Sequence, residues 1–455
     1  MKNRREYDLT EGPMSGHFWR LAVPAAMGML FATLYNVVDV FYAGMLSTEA
    51  QAGLAIGFQA FFVFMAIGFG LSSAMSALVS NAKGAKDTDA ARTTAAQGIT
   101  YGLIATAALM VIAFFVGPAL ITIVSEPGGY RDAANGYFYV LIFSLPGFFM
   151  SYGANGILQA HGDTVSMQRA LMVAFVANIV LNPLLMFTLG FGFNGIAIAT
   201  VLSQTGVMVW ILYRVSQLEI FEGITRTAFV PNMASFRAIT SQLLPSSTAM
   251  MVMFISGFVV QFALKNFGET AIAAYGVGLR IEQILLLPVL GMTGALLPIA
   301  GQNFGGGHHD RVRDALFFCW KLGFAMTVIA TPTLWFGGAY FVSIFSDDPD
   351  VIAVGASYLK VDAILFPIYM MLFSINSILQ ALKQPVYTLW ISLYRQGFGV
   401  AAFIWLFVGV MGFDVWGVWF GIATSVASGW VIAMIVVQRV ASQHMGGLFA
   451  VPARA

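Results

Sequence analysis

The sequence predicts an all-α integral membrane protein, with twelve transmembrane helices in two pseudo-symmetric six-helix bundles around a central cavity. Three observations carry that prediction. The chain of 455 residues is 59% hydrophobic and 9% charged, with a mean hydropathy of +0.81, whereas soluble domains carry about 25% charged residues. Its apolar residues gather into runs long enough to cross a bilayer as helices. The two halves also repeat one another at a constant offset of 221 residues, which brings Pro24 onto Pro245, Gly70 onto Gly291 and Gly84 onto Gly305.

Taken in order, the runs are bounded by charged residues or by Gly/Pro breaks. The amino terminus, MKNRREYDLTEGPMSGHFW, is polar and lacks a cleavable signal pattern, so the first span, 16–43, is expected to stay in the protein. It contains Pro24 and a single acid, Asp39. Spans follow at 50–80, 93–118, 133–160, 164–190 and 194–214, closing a first unit of six. The polar stretch 217–237 reads as a linker between an amino-terminal lobe, 1–216, and a carboxy-terminal lobe, 238–455. The second unit has spans at 238–265, 271–301, 315–343, 353–381, 386–411 and 415–438. The long runs 50–80 and 271–301 are expected to emerge into water.

An even number of spans puts both termini on one side. Of the 22 basic residues, only Arg131 and Lys265 fall in the opposite loops, and Arg280, Lys360 and Arg395 lie within spans. By the positive-inside rule both ends are expected in the cytoplasm, and a bacterial plasma (inner) membrane is the expected location. The outward loops are acidic, as in Ser346-Asp347-Asp348-Pro349-Asp350. With 22 basic and 21 acidic residues the chain offers no basic surface for nucleic acid. The lone Cys319 excludes an internal disulfide and reads as filler in an apolar helix.

The repeat continues well beyond the glycines. Asp89 and Arg92 match Asp310 and Arg313, Pro146 matches Pro367, Asn155 matches Asn376, and Ile157-Leu158-Gln159-Ala160 matches Ile378-Leu379-Gln380-Ala381. Because six is even, the two units enter the membrane in the same sense, as parallel repeats about an axis along the membrane normal. Such lobes suit alternating access around a site near the midplane.

Several of these segments together resemble the multidrug and toxic compound extrusion (MATE) family of cation-coupled exporters. They are Pro24 with Asp39, the stretch GLSSAMSALVSNAKGAKD (70–87) with its second copy GMTGALLPIAGQNFGGGHHD (291–310), the paired ILQA segments, and NIVLNPLLMFTLGFGFNGIAIAT (178–200). The resemblance spans nearly the whole chain and implies a V-shaped cavity between two bundles, with export driven by inward H⁺ or Na⁺. It also places the amino-lobe cation site at Asp39, Asn178, Asn182 and Thr200. One departure from the family pattern stands out. Family members with a complete amino-lobe site carry an acid where this chain has Asn182, so among these groups only Asp39 titrates. A proton needs one carboxyl and Na⁺ needs several oxygen ligands, so H⁺ is the expected coupling ion and no cofactor is expected. The carboxy-lobe site known in another branch uses an acid in the seventh helix, and 238–265 contains none.

Read from the residues themselves, a carboxyl inside a lipid-embedded helix costs several kcal/mol unless it faces a polar interior, and it usually marks an ion or substrate pathway. Asp39 fits that description. Pro24 frees a backbone carbonyl in the same helix and permits bending. In the carboxy lobe Arg280, Glu282 and Asp362 form a candidate charge network, with Lys360 as a further partner; Asp362 is the candidate second protonation or substrate-cation site. Tyr35, Asn36, Asn155, Gln159 and Asn376 are candidates for lining a substrate cavity, although amides in spans also bind helices together. The 24 methionines, among them Met250, Met251 and Met253, suit a pocket that re-packs around varied cations, or simply a packed interior. Gly305-Gly306-Gly307-His308-His309-Asp310 lacks the GK[ST] of a phosphate loop and reads as a helix-ending turn.

The expected function is therefore secondary active efflux of lipophilic or cationic drugs or toxins by a monomer in the lipid bilayer. The alternative is a flippase for a lipid-linked oligosaccharide precursor, whose pyrophosphate should call for several cavity Arg or Lys residues. No hydrolytic triad or zinc spacing falls in any span, which argues against an enzyme.

Overall fold

The computed structural model describes residues 7–449; Lys2, Arg4, Arg5 and Arg454, counted above among the basic residues, lie outside them. Twelve helices long and apolar enough to cross a membrane run through the described residues. They are α1 (Met14–Leu46), α2 (Thr48–Gly84), α3 (Thr88–Val124), α4 (Gly129–Ala160), α5 (Val165–Thr188) and α6 (Asn194–Ser216), then α7 (Met233–Phe267), α8 (Glu269–Gly305), α9 (His309–Ser343), α10 (Pro349–Ala381), α11 (Pro385–Val410) and α12 (Val415–Met445). No strand occurs among the described residues. The fold class is thus the one the sequence predicts.

Most helices exceed their apolar runs because polar caps continue them beyond the hydrocarbon. Ser47, Asp87, Asn232, Asp348 and Asp414 each accept hydrogen bonds from the first-turn amides of α2, α3, α7, α10 and α12, satisfying donors that a helix start leaves open. The expected linker is shorter than 217–237, since α7 already begins at Met233; between α6 and α7 stand two 3₁₀ turns, Glu219–Phe221 and Arg226–Phe229. Regularity also breaks inside the membrane. Just after Pro183, α5 widens into a π turn at Leu184–Thr188, and α11 carries π segments at Leu393–Phe398 and Trp405–Val410. The π turns that start at Leu184 and Trp405 are one repeat apart.

α1–α6 and α7–α12 each pack around a buried apolar core. The halves meet where α1 lies on α8 and α2 lies on α7 and α8. The segment before α1 also crosses over, and Leu9 is fully buried among carboxy-lobe side chains.

One polar cluster fastens the amino lobe at the end that carries the termini. Asp163 accepts from the Ser166 amide at 2.9 Å and the Ser166 hydroxyl at 2.6 Å, and pairs with Arg214 at 3.2 Å. Burial works to raise the Asp163 carboxyl, but these hydrogen bonds and the guanidinium outweigh it and hold the group below its ordinary value. Its stabilisation is therefore full above the unfolded pKa of about 4 and is lost as pH falls through the lower folded value. Asp163→Asn is expected to cost about 1–2 kcal/mol at pH 7 and progressively less as pH falls below about 4. Thermal melting in detergent across that range checks this, and a cost that stays constant with pH would show that charge is not its source.

Candidate functional site

Asp39 sits in the far half of α1, on the face turned toward α5 and α6, and is 4% exposed. Two amides four residues apart on α5 converge on it, as their shared helix face requires. Asn178 Nδ2 and Asn182 Nδ2 both donate to Asp39 Oδ1 at 2.9 Å, and Asn182 Nδ2 also reaches Asn178 Oδ1 at 3.2 Å. From α6, the Thr200 hydroxyl donates to Asp39 Oδ2 at 3.4 Å. Tyr35, one turn before Asp39, donates to Thr200 Oγ1 at 3.2 Å. Asn178 and Asn182 are fully buried, and Asn182 Oδ1 has no hydrogen-bond partner. Three helices thus close a dry polar pocket around one carboxyl. Its hydrogen-bond partners among the described residues are all neutral groups, which leave the charge of an ionised carboxyl without a counter-charge among them.

The carboxy lobe builds a second centre from different helices. Glu282 of α8 accepts a hydrogen bond from Tyr358 of α10. Asp362, one turn further along α10, is 1% exposed, and neither of its carboxyl oxygens has a hydrogen-bond partner. Arg395, 8% exposed on the first π segment of α11, acts electrostatically on Glu282, and Glu282 in turn acts on Asp362. The π turn is braced from α12: Ser425 donates to the Arg395 carbonyl at 2.6 Å, and the Arg395 stem lies against Gly429. Tyr275, Tyr358 and Trp419 wall the centre with ring centroids 5.1–6.1 Å apart. The centre thus holds two carboxyl groups and one guanidinium.

The expected network is therefore corrected in its cations. Arg280 and Lys360 are exposed, because each stands two positions from its carboxylate and so points to roughly the opposite side of its helix. Arg395 takes their place. The sequence shows it as a charge inside an apolar span, but nothing in the spacing ties it to Glu282. Tyr358 was likewise not expected.

The cavity candidates separate. Tyr35 is buried within the Asp39 cluster instead of lining open space. Asn36 is exposed and bonds the Ala32 carbonyl of its own helix at 3.1 Å. Asn155 and Asn376, one repeat apart, each keep a buried amide oxygen without a partner, and Gln159 is half-buried. Pro24 lies inside an α1 that is helical from Met14 to Leu46.

The repeat copies the scaffold but not this chemistry. At the offset of 221, Asp39, Asn178, Asn182 and Thr200 fall on Val260, Gly399, Phe403 and Gly421, while Glu282, Asp362 and Arg395 fall on Phe61, Leu141 and Ala174.

A duplicated helical bundle that spans a membrane and isolates carboxyls in its dry interior is the plan of a secondary transporter. The sequence pattern of the MatE family matches residues 24–184 and again 245–405, the same 221 residues apart. The chain belongs to the MatE family of multidrug efflux transporters and is a transporter, not an enzyme. It is 24% identical over 385 residues to the probable multidrug resistance protein YpnP of Bacillus subtilis, covering 83% of this chain and 84% of that one. It is also 24% identical over 406 residues to a FAD transporter of Shewanella oneidensis, covering 87% and 88%. A MOP superfamily transporter from Pyrococcus furiosus shares its fold with a TM-score of 0.89 at 23% identity, over 97% of this chain and 99% of that one.

Proposed function

We propose that the protein exports lipophilic cationic compounds in exchange for protons, with Asp39 as the coupling carboxyl. The observation that carries this reading is that Asp39 is the one acid in its pocket, ringed by amides and hydroxyls. The two asparagines aim N–H groups at Oδ1, which suits a carboxyl that exchanges a proton better than a cage of oxygens around Na⁺. In the proposed cycle, substrate enters from the cytoplasm. With the cavity facing outward a proton moves onto Asp39, α1 bends at Pro24, and the amino-lobe pocket closes on the space that held the drug. Return to the inward state releases the proton. Asp362, with Glu282 and Arg395, supplies a second locus where charge changes during the cycle.

The test is reconstitution. An imposed pH gradient in Na⁺-free proteoliposomes is expected to drive efflux of cationic dyes. No efflux there, with transport restored by a Na⁺ gradient, would reverse the assignment of the ion.

A second reading has one observation behind it. Buried Arg395 amid Tyr275, Tyr358 and Trp419 suits an anionic aromatic cargo, and a relative is named a FAD transporter. The same vesicles loaded with a flavin nucleotide separate the two cargoes. With Arg280 and Lys360 exposed, the centre lacks the several cations that a pyrophosphate-bearing lipid needs, which disfavours a flippase for lipid-linked oligosaccharide.

A further inference from the structure

The two lobes are joined, at the end that carries the termini, by a set of contacts most of which obey the repeat. Asn81 Nδ2, near the end of α2, donates to the carbonyl of Ala381, the last residue of α10, at 2.9 Å. Gln302 Nε2, near the end of α8, donates to the carbonyl of Ala160, the last residue of α4, at 2.7 Å. Gln302 is Asn81 shifted by 221 positions, and Ala381 is Ala160 shifted by the same amount. Each amide therefore crosses to the other lobe and caps the corresponding helix.

Both acceptors are carbonyls that a helix end leaves open. At Ala381 the residue four further on is Pro385, which has no N–H to give. Both donors are buried, at 3% and 1% exposure. The glycines matched in the sequence make the approach possible. A β-carbon on Gly84 would overlap the Gln302 carbonyl, and one on Gly305 would overlap the Asn81 carbonyl. The other matched pair repeats the pattern deeper in the bundle: Gly70 lies against Leu243 and Ser247, and Gly291 lies against Ala22 and Ala26, again one repeat apart.

One element breaks the symmetry. The backbone of Leu9 donates to Gln302 Oε1 at 2.9 Å and accepts from Asn303 Nδ2 at 3.0 Å, while Arg311 Nη2 donates to the Gly12 carbonyl at 3.0 Å. Arg20 lies over the Tyr7 ring at 3.8 Å and holds the same segment to α1.

We infer that Asn81 and Gln302 are the paired gate residues of the transport cycle, holding this side shut by each capping a helix end of the opposite lobe, with the segment Tyr7–Gly12 as a strap over one of the two clasps. The inference rests on transport by alternating access but not on the coupling ion. Breaking the clasp releases two open carbonyls to water, so the opposite state is reached by exchanging hydrogen bonds with no loss of apolar core.

The experiment measures the distance between spin labels at Asp87→Cys and His308→Cys, both exposed and one on each lobe, in a Cys319→Ala background. It needs no gradient and no substrate, so failure of the proton assay leaves it readable. With Asn81 and Gln302 in place, one short distance is expected. Asn81→Ala should move the open-to-closed ratio by about fivefold, the worth of one neutral hydrogen bond, and Gln302→Ala, which also loses the bond from the Leu9 amide, by about 25-fold; the double variant should exceed either. Asn81→Gln, which installs the amide its counterpart already uses, should restore the short distance. Each single variant is read by itself in monodisperse protein. Unchanged distances in both single variants overturn the inference, as does an Asn81→Gln protein as open as Asn81→Ala.

Discussion

Replacing Asp39 by asparagine is expected to reduce gradient-driven efflux to the level of empty vesicles while leaving the protein folded and able to bind its cargo. The substitution keeps the shape of the side chain and an acceptor oxygen for Asn178 and Asn182, which lie 2.9 Å away. The Thr200 hydroxyl, at 3.4 Å, can turn to the new amide. What disappears is the only group in the pocket that can gain or lose a proton or bind a cation with full charge. Coupling needs an occupancy that differs between states, and a permanently neutral residue supplies none. The check pairs dye efflux from proteoliposomes with equilibrium dye binding in detergent. An Asp39→Asn protein that still exports against a pH gradient would remove Asp39 from the mechanism; one that neither binds nor elutes as a single species would make it a structural residue.

The second large effect is expected in the carboxy lobe. Arg395→Met keeps the length of the stem that packs on Gly429 but leaves Glu282 without the cation that acts on it. Removing one member of a buried charge set is costly, about 3–5 kcal/mol in well-packed cases, because the remaining charge stays in a dry place. A marked fall in melting temperature at neutral pH is expected. Glu282→Gln in the same chain should recover much of it, since the amide still accepts from Tyr358 and no longer needs a counter-ion. The cycle of single and double variants, read by thermal melting, isolates the coupling. Additive losses would mean that Arg395 stabilises α11 by packing alone.

The amino-lobe centre was legible because its parts obey local rules. An acid in an apolar run is conspicuous, and two asparagines four residues apart must share a helix face. Thr200 followed from family resemblance. The carboxy-lobe centre was only half legible: Glu282 and Asp362 stand out as acids in spans, but which cation meets them depends on how α8, α10 and α11 rotate against one another. Arg280 and Lys360 looked nearer in sequence and point away. The clasp was legible as a repeat and illegible as a contact, since the glycines mark a close approach while the acceptors are backbone carbonyls of two alanines, which carry no signal of their own. Helix ends were underestimated for a similar reason: caps such as Asp87 and Asp348 extend helices through residues that hydropathy assigns to water.

The lengths of α2 and α8 have a mechanical consequence. Each has 37 residues, or about 55 Å at 1.5 Å per residue, against a hydrocarbon thickness of about 30 Å. Asn81 and Gln302 ride near the tips of these rods, so they act as the ends of lever arms. If a lobe pivots near mid-bilayer, a tilt of about 10° sweeps such a tip through about 5 Å, more than the reach of either amide. A small change of packing near the pivot, too slight to disturb either core, would thereby be magnified at the tips where Asn81 and Gln302 meet the opposite lobe.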